Sequence, residues 1–270
     1  MPELPEVTTI KNDLVKEILG KQISNISTFN SYPLKPNKYI FERHAVNHSV
    51  VDIENVGKLI CVYLSSNYCL AIHLGMSGNL LYNTKDKYVK IKITFEDKSA
   101  LYYSTIRKFG YFELWTSKIL HTYRQKVGRN VLDPKLELHE FITAVKRSKG
   151  HIKNVLLNQR LISGVGNIYA NDALFLSKIH PKTSTSELDD EEFQTLFNNL
   201  KFVLSEGIKN RGSSIDRYRD LYGNKGKHQK HFKVYGKKGQ LCTRCGITKL
   251  SYDKMQGRGT YYCKSCQISK

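Results

Sequence analysis

The sequence predicts an α+β protein with a largely β first domain, a helical second domain and a C-terminal β-hairpin that carries cysteine pairs. Three observations predict this class. Short segments rich in Val, Ile, Tyr and Phe follow one another between residues 50 and 115, separated by turn residues without helices. Helical periodicity of apolar residues dominates from Leu138 onward. Four of the six cysteines cluster in two pairs near the C-terminus.

The first domain opens with a predicted helix. Val7, Ile10, Leu14 and Ile18 recur at spacings of three and four, which places them on one helical face, and Gly20 ends the pattern. The following segments are predicted to form the antiparallel strands of a sandwich or barrel: 50–56, 59–64, 68–73, 88–95, 101–104 and 111–115.

The second domain begins where the pattern changes, around residues 128–134. Apolar residues then recur with helical spacing up to Leu204, and a polar stretch containing several glycines follows Arg211. We expect a mobile loop over residues 216–233. The predicted domains are a β-sandwich at 1–130, a helical domain at 131–230 and a cysteine-rich finger at 231–270.

The charge of the chain indicates a polyanionic partner. Lysine and arginine total 43 against 24 aspartates and glutamates, which gives a formal net charge of +19 and a pI near 9.6. Nucleic acid is one such partner, while membrane-surface binding or simple solubility would also suit a basic protein. There is no signal-peptide pattern and no apolar run of roughly 20 residues. We therefore expect a cytoplasmic protein that binds no membrane.

The C-terminal cysteines predict a metal site. Cys242, Cys245, Cys263 and Cys266 form two C-x2-C pairs separated by seventeen residues. At this spacing two knuckles of a β-hairpin offer four thiolates to one tetrahedral Zn²⁺, and a site with four protein ligands is structural. Arg258 lies at the expected hairpin tip, where its planar guanidinium can form two hydrogen bonds to a phosphate. The alternative is a solvated arginine in a turn.

The other two cysteines have a different context. Cys61 and Cys69 lie in apolar, strand-like runs. We predict that both are buried as small hydrophobic residues rather than reactive.

The N-terminal residues offer a nucleophile. A small second residue favours removal of Met1, after which Pro2 is a secondary amine that can attack an aldehyde carbon. An α-amino group has a pKa of about 7.7–8.0, so a useful fraction is unprotonated near neutral pH. Glu3 can act as a general acid-base and Glu6 can orient the site. On their own, these prolines and glutamates favour a helix start over a catalytic site.

Six motifs resemble, in order and spacing, those of the formamidopyrimidine-DNA glycosylase family, and the resemblance spans essentially the whole chain. The Leu4 and His-Leu-Gly-Met motifs are more similar to this branch than to the related endonuclease VIII branch. The motifs are Met-Pro-Glu-Leu-Pro-Glu-Val at residues 1–7, Gly-Lys-Leu at 57–59, His-Leu-Gly-Met-Ser-Gly at 73–78, Arg-Lys-Phe-Gly at 107–110, Gly-Val-Gly-Asn-Ile-Tyr at 164–169 and Cys-Lys-Ser-Cys-Gln at 263–267.

The resemblance implies a fold and an activity. The fold would be an N-terminal β-sandwich with flanking helices, a helix-two-turn-helix domain and a zinc-finger β-hairpin. The activity would be that of a DNA glycosylase and abasic-site lyase of base excision repair, acting on oxidised purines (8-oxoguanine and formamidopyrimidines) by β,δ-elimination through a Schiff base at the N-terminal proline. We expect a monomer that binds damaged double-stranded DNA and one structural Zn²⁺, associated with the nucleoid if the source is a bacterium.

Site residues follow from the motif match. The implied catalytic residues are Pro2 as nucleophile, Glu3 as general acid-base, Lys58 beside the reacting sugar, and Arg258. The implied DNA-binding residues are His73, Met76, Arg107, Phe109, Lys153, Asn167 and Arg258. Among them, the apolar Met76 and Phe109, together with Arg107, would fill the gap left when the damaged nucleotide is flipped out.

Several positions depart from the family pattern. Thr105-Ile106 replaces Asp-Pro, Arg129-Asn130 replaces Pro-Glu, Asn158 replaces Asp and Asp172 replaces Glu. The order Asp216-Arg217 reverses the usual basic and acidic residues in the loop that senses the flipped base. Lesion preference is therefore open, with pyrimidine or hydantoin lesions as alternatives. A zinc-dependent DNA-binding protein without catalysis would fit the same charge and cysteine pattern.

Overall fold

A computed structural model describes residues 1–107 and 109–268, so Lys108 of the Arg-Lys-Phe-Gly motif lies outside the described residues. The chain forms two compact units. One comprises Met1–Lys126 and Ile208–Gln229, and the other comprises Val127–Gly207 and Lys230–Lys270. Residues 208–229 thus return to the first unit after the helical segment.

Among the residues that the structure describes, the first unit contains two four-stranded antiparallel sheets and three helices. Its sheets have the strand orders β2-β3-β4-β8 and β1-β6-β7-β5. The elements are α1 (Leu4–Ile18), β1 (Ile23–Thr28), α2 (Lys38–Ala45), β2 (Val50–Val56), β3 (Leu59–Leu64), β4 (Tyr68–His73), β5 (Asn79–Tyr82), β6 (Val89–Phe95), β7 (Ala100–Ser104), β8 (Tyr111–Thr116) and α3 (Ser117–Lys126). The predicted α+β class with an N-terminal β-sandwich is confirmed.

The core of this unit lies on the inner faces of the strands and on one face of α1. In β6, Ile91, Ile93 and Phe95 are buried while the residues between them are partly exposed, which is the alternation of a strand with one face on a core. The apolar face predicted for α1 is buried in the same core, including Ile10 and Leu14 at 0% exposure. The helix and the sandwich therefore fold as one body.

A smaller apolar cluster lies on the other side of the β3–β4 pair. Cys61 and Cys69 are free, buried and packed with Trp115 and with Leu120 of α3. A hydrogen bond with Cys69, together with burial, raises the pKa of Cys61. Both cysteines are thus the buried hydrophobic residues that the sequence predicts.

The second unit is mainly helical and ends in a β-hairpin. Its elements are β9 (Arg129–Asn130), α4 (Leu138–Lys146), α5 (Ile152–Leu156), β10 (Ile162–Ser163), α6 (Asn167–Leu176), α7 (Asp190–Lys209), β11 (Ser251–Met255) and β12 (Arg258–Tyr262). The short β9 and β10 pair in parallel, and the last two strands form the antiparallel hairpin. The helical domain and the cysteine hairpin are confirmed.

Candidate active site and nucleic-acid interface

The start of α1 holds a proline and two carboxylates in buried positions. Pro2 is buried, and Glu3, the N-cap of the helix, is 4% exposed. Glu3 and Glu6 form a capping box, in which the Glu3 N–H donates to Glu6 Oε2 at 2.7 Å. The helix-start interpretation is confirmed. It is compatible with a catalytic role, because the capping box fixes the peptide that follows Pro2.

Glu6 uses its other oxygen to bind a turn far along the chain. The Ser213 N–H donates to Glu6 Oε1 at 2.7 Å. Gly212 has φ +76° and a Cβ there would lie 2.8 Å from Glu6 Cγ, so only glycine allows this approach. The sequence does not predict this contact, although Gly212 directly before the loop is a signal of close backbone approach. The helix that follows Pro2 is therefore joined to the base of the loop that follows α7.

Lys58 and His73 lie at neighbouring strand ends. Lys58 follows Gly57 in the turn between β2 and β3, is 7% exposed, and precedes Leu59, which pairs with His73. The Gly75 N–H donates to His73 Nδ1 at 3.2 Å. Desolvation, followed by the charge of Lys58, lowers the pKa of His73. A neutral imidazole that accepts at Nδ1 keeps Nε2–H as a donor, which suits an anion between the two side chains.

Two adjacent loops carry the predicted gap-filling residues. Met76 and Phe109 are 46% and 67% exposed, and Arg107 is also exposed. The loops meet backbone to backbone, since a Cβ on Gly75 would lie 2.5 Å from the Gly110 nitrogen. The structure therefore brings these three residues onto one protruding pair of loops.

A hydroxyl contact also joins these loops. Ser77 Oγ accepts the Arg107 N–H at 3.1 Å and lies 3.4 Å from Thr105 Oγ1. Thr105, one of the departures from the family pattern, thus takes part in the contact between the loops.

The hairpin tip presents Arg258. The turn residues Gln256 and Gly257 have φ of +46° and +72°, which is the left-handed backbone of a two-residue hairpin loop. Arg258 is exposed and, with His151 and Asn158, lines a cleft of about 440 Å³ in the second unit. An exposed guanidinium at a cleft is free to bind an anion.

The hairpin is held by side chains of α5 and α6. Lys153 is fully buried, and its Nζ donates to Gly259 O at 2.8 Å and to Thr260 Oγ1 at 2.7 Å. Asn167 Nδ2 donates to the same Gly259 oxygen at 3.0 Å. Lys153 thus supports the strand that carries Arg258, and direct contacts of Lys153 and Asn167 with DNA stay predictions.

The four C-terminal cysteines form one cluster. Their sulfurs lie within 4.8 Å of one another, with 3.8 Å between Cys242 and Cys266 and 3.9 Å between Cys245 and Cys263. Tetrahedral coordination with Zn–S bonds of about 2.3 Å places sulfurs about 3.8 Å apart, whereas a disulfide requires about 2.05 Å. The cluster has the geometry to hold a metal ion.

The electrostatics of the cluster also fit a cation. Backbone hydrogen bonds from Thr248 and Ile247 lower the pKa of Cys245 to about 6. Desolvation and then the neighbouring thiols raise the pKa of Cys266 to about 12. Four thiols this close repel one another as thiolates, and a bound dication would remove that repulsion.

Asp172 has a structural function that the sequence analysis did not identify. Its buried carboxylate accepts the N–H groups of Lys233, Val234 and Tyr235 at 2.9, 2.9 and 3.1 Å. Burial raises its pKa, although the three backbone hydrogen bonds act in the opposite direction. Asp172 therefore fixes the segment that leads into the finger.

Comparison with known families decides the identity of the chain. The model of the formamidopyrimidine-DNA glycosylase N-terminal domain matches residues 1–112, and the model of the H2TH domain of the same enzyme matches residues 127–219. The chain belongs to the formamidopyrimidine-DNA glycosylase family. It is accordingly a DNA glycosylase of base excision repair.

Individual members of the formamidopyrimidine-DNA glycosylase family match over almost the full length. The protein of Mycoplasma mobile is 37% identical over 99% of both chains, and that of Streptococcus pneumoniae is 34% identical over 99% of both. The Lactococcus lactis Fpg protein bound to DNA containing an abasic site has a TM-score of 0.90 at 32% identity, covering 99% of this chain and 100% of that one. A Lactococcus lactis mutant bound to DNA containing Fapy-dG gives the same values.

Within residues 1–107 and 109–268, none of the helices combines the length and apolar character required to cross a bilayer.

Proposed function

We propose that this glycosylase is bifunctional, removing oxidised purines such as 8-oxoguanine and formamidopyrimidines and then cleaving the strand as an abasic-site lyase. The observation that carries the proposal is the buried Pro2 next to the Glu3 N-cap, with Glu6 fixing the peptide between them. Removal of Met1 converts the Pro2 nitrogen from an amide into a secondary amine. That amine is a nucleophile near neutral pH.

The chemistry proceeds from this amine. The Pro2 nitrogen attacks C1′ of the flipped nucleotide, the glycosidic bond breaks, and the base leaves with the electron pair and takes up a proton. Glu3 protonates O4′ as the sugar ring opens to an iminium, and as a carboxylate it can then accept a proton. Loss of the C2′ proton expels the 3′ phosphate, and loss of the C4′ proton then expels the 5′ phosphate. Hydrolysis of the iminium frees Pro2, releases the unsaturated sugar fragment as an aldehyde and leaves a one-nucleotide gap.

Other residues hold the DNA. Lys58 and neutral His73 bind the phosphate beside the reacting sugar, and their neighbouring positions at two strand ends support this assignment. Met76 and Phe109 fill the gap in the base stack, while Arg107 donates hydrogen bonds to the orphaned cytosine. These contacts offset the few kcal/mol that flipping costs.

The second unit supplies its own DNA contacts. Arg258 and Asn167 bind backbone phosphates, and Lys153 supports the strand that carries Arg258. The four cysteines hold one Zn²⁺, which stabilises the hairpin and takes no part in the reaction. The protein acts as a monomer on damaged duplex DNA, in the cytoplasm and at the nucleoid if the source is a bacterium.

Borohydride trapping tests the proposal. With a duplex carrying 8-oxoguanine opposite cytosine, borohydride should reduce the iminium and link the DNA covalently to the N-terminal peptide. The Pro2→Gly variant keeps an amine but loses the secondary-amine ring, so trapping and incision should fall sharply. If processed wild-type protein gives no trapped species while binding of the duplex persists, the chain is a DNA-binding protein without lyase chemistry.

A panel of lesions tests the substrate class. Duplexes containing 8-oxoguanine, a formamidopyrimidine, an oxidised pyrimidine or a hydantoin are compared by incision rate. We expect the purine lesions to be cut fastest. Faster cutting of pyrimidines or hydantoins would overturn the purine assignment and implicate the changed loop at Asp216 and Arg217.

A further inference from the structure

In the first unit, residues 217–223 lie along the connection between β5 and β6. The Tyr82 N–H donates to Leu221 O at 2.8 Å, and the Arg219 N–H donates to Asn79 Oδ1 at 3.3 Å. Between these contacts the loop and the connection line a cleft of about 400 Å³. The active-site residues Pro2, Glu3, Lys58 and His73 are not part of its lining.

Tyr88 lines this cleft, and its ring contacts one cation from the 217–223 loop and one from the β5–β6 connection. The guanidinium carbon of Arg217 and the Nζ of Lys87 each lie 5.3 Å from the centre of the Tyr88 ring. The Tyr88 N–H donates to Asp86 Oδ1 at 2.7 Å, which fixes the turn that carries the ring. The aromatic ring thus positions one cation from the loop and one from the connection.

The cleft has an excess of positive charge. Four cationic side chains and one carboxylate line it: Lys85, Lys87, Arg217, Arg219 and Asp86. The Asp216 carboxylate lies 4.0 Å from Arg217 Nε, but its side chain is 79% exposed, so solvent screens that attraction. Cations from two segments therefore face one cleft with too few carboxylates to balance them.

We propose that this cleft, here named the basic cleft (Lys85, Lys87, Arg217 and Arg219), binds a backbone phosphate of DNA. The phosphate neutralises cations from both walls and so holds the 217–223 loop against the β5–β6 connection. A phosphodiester fits the donors, since arginine binds phosphate as a fork and lysine as a point charge. The inference rests on the proposed function, because it takes duplex DNA as the occupant.

Salt dependence of binding tests the charge contacts. The Lys85→Ala/Lys87→Ala variant is compared with Lys38→Ala/Lys118→Ala, which removes the same charge from exposed helix positions of the same unit. The log-log slope of affinity against salt should fall by about 0.9 per lost phosphate contact in the first variant. It should stay at the wild-type value in the control. Equal slopes in the two variants would overturn the proposal.

A neutral phosphate analogue locates the contact. Single methylphosphonates are placed in turn along a duplex, and binding to wild type and to Lys85→Ala/Lys87→Ala is compared. At one position the substitution should weaken wild-type binding by about tenfold, as expected for a charge-assisted hydrogen bond, and have little effect on the variant. If each position has the same effect on both proteins, no phosphate lies in the basic cleft.

Limited proteolysis tests the effect on the loop, since trypsin can cut after Arg217 and Arg219. An undamaged duplex, which offers no flipped lesion, should slow these cuts in wild type and slow them less in the lysine variant. If DNA slows the cuts equally in wild type and in the lysine variant, phosphate binding in the basic cleft does not hold the loop. Failure of the proposed function is seen separately, as absence of borohydride trapping by wild-type protein, and it leaves these binding measurements interpretable.

Discussion

Glu6 is the residue at which the helix start and the distant loop meet. One of its oxygens accepts the Glu3 N–H and the other accepts the Ser213 N–H, both at 2.7 Å. The Glu6 side chain is 1% exposed. A substitution that changed its charge or shape would therefore leave a backbone N–H buried without an equivalent acceptor. Glu6 therefore holds the peptide that follows Pro2 and the base of the loop together.

The variant Glu6→Gln tests this role. The amide must turn its NH2 group towards one of the two N–H donors, so one hydrogen bond is lost and two donors face each other. We expect the free energy of unfolding to fall by about 1–3 kcal/mol and the rate of borohydride trapping to fall with it. Urea unfolding and trapping kinetics measure the two effects.

The matched control is Glu17→Gln on the same helix. Glu17 Oε1 accepts the Tyr222 hydroxyl at 2.9 Å in an exposed contact. A much smaller change is expected there. Similar losses of unfolding free energy and trapping rate in both variants would show that Glu6 does not hold the helix start and the loop together.

His73 makes a pH-dependent contribution to stability. Burial and the charge of Lys58 lower its pKa in the folded protein below the ordinary 6.5. The stabilising contribution of the neutral ring is complete above pH 6.5 and decreases as the pH falls through the lowered pKa, because the unfolded state then binds more protons.

The variant His73→Gln should therefore lose less stability than wild type between pH 7 and pH 5. Chemical unfolding at the two pH values measures the difference, with His121→Gln on the exposed surface of α3 as control. An unchanged pH dependence in His73→Gln would contradict the assignment. A second check is Lys58→Met, which should raise the pKa of His73 observed by NMR.

Single residues differ in how far the sequence reveals them. Cysteine spacing is sufficient to predict the metal cluster, because thiolate pairs two residues apart have few other uses. The contact between Glu6 and Ser213 links residues separated by 207 positions, and no local pattern encodes such a pairing. The same holds for Arg217 and Tyr88, which meet only after the loop has folded back.

Among the structural elements, the two loops that carry Met76 and Phe109 depend on close backbone approach. A Cβ on Gly110 would lie 2.2 Å from His73 O. Real side chains do not allow this distance, so a larger residue must push the loops apart. Met76 and Phe109, which we propose fill the gap in the base stack, would then lose their common position.

The variant Gly110→Ala should destabilise the protein by about 1–3 kcal/mol through overpacking. It should also weaken base flipping, which 2-aminopurine fluorescence at the lesion position reports. The control is Gly150→Ala, where the nearest atom lies at an ordinary contact distance of 3.5 Å. Wild-type flipping in Gly110→Ala would show that the loops do not need this packing.

The cysteine hairpin should depend on its metal for folding. Wild-type protein is expected to bind one Zn²⁺ per chain, and Cys263→Ser should bind much less, because a structural site needs all four ligands. Loss of metal should unfold the hairpin, lower the melting temperature and weaken DNA binding through Arg258. Elemental analysis and thermal scanning measure this, with Cys69→Ala as the control. Full metal content in Cys263→Ser would contradict the four-thiolate site.

Elements with strong periodicity were predictable and short ones were not. The α1 helix and the strands from β2 to β4 agree with their predicted positions, because the helix has one apolar face and the strands are rich in Val, Ile, Leu and Tyr. The α2 helix was not predicted, because its two buried residues, Phe41 and Ala45, are too few to show a helical period of apolar residues. The four-residue β5 gave no usable alternation.

At the scale of the whole molecule, the order of segments along the chain does not predict which segments pack together. Residues 208–229, the last two residues of α7 and the segment after it, belong to the same compact unit as α1 and the sandwich. The ion pairs of Arg211 with Asp13 and Asp220 help to hold them there, with both carboxylates 2% exposed. Composition changes along the chain mark where an element ends, but they do not reveal which unit the next segment joins.

The formal net charge of +19 makes binding of any duplex strongly dependent on salt. Each phosphate neutralised by lysine or arginine contributes about 0.9 to the log-log slope, so the proposed contacts from Lys58, Arg258 and the basic cleft require a slope of at least about 2.7 in magnitude. The variant Arg258→Ala should reduce the slope by about 1 for damaged and undamaged duplexes alike, because a phosphate contact carries no information about the base. Fluorescence anisotropy titrations over a range of salt concentrations measure both slopes. A flat salt response of the wild-type protein would contradict the phosphate-binding assignments in both units, whereas a loss confined to damaged duplex in Arg258→Ala would assign that side chain to lesion recognition instead.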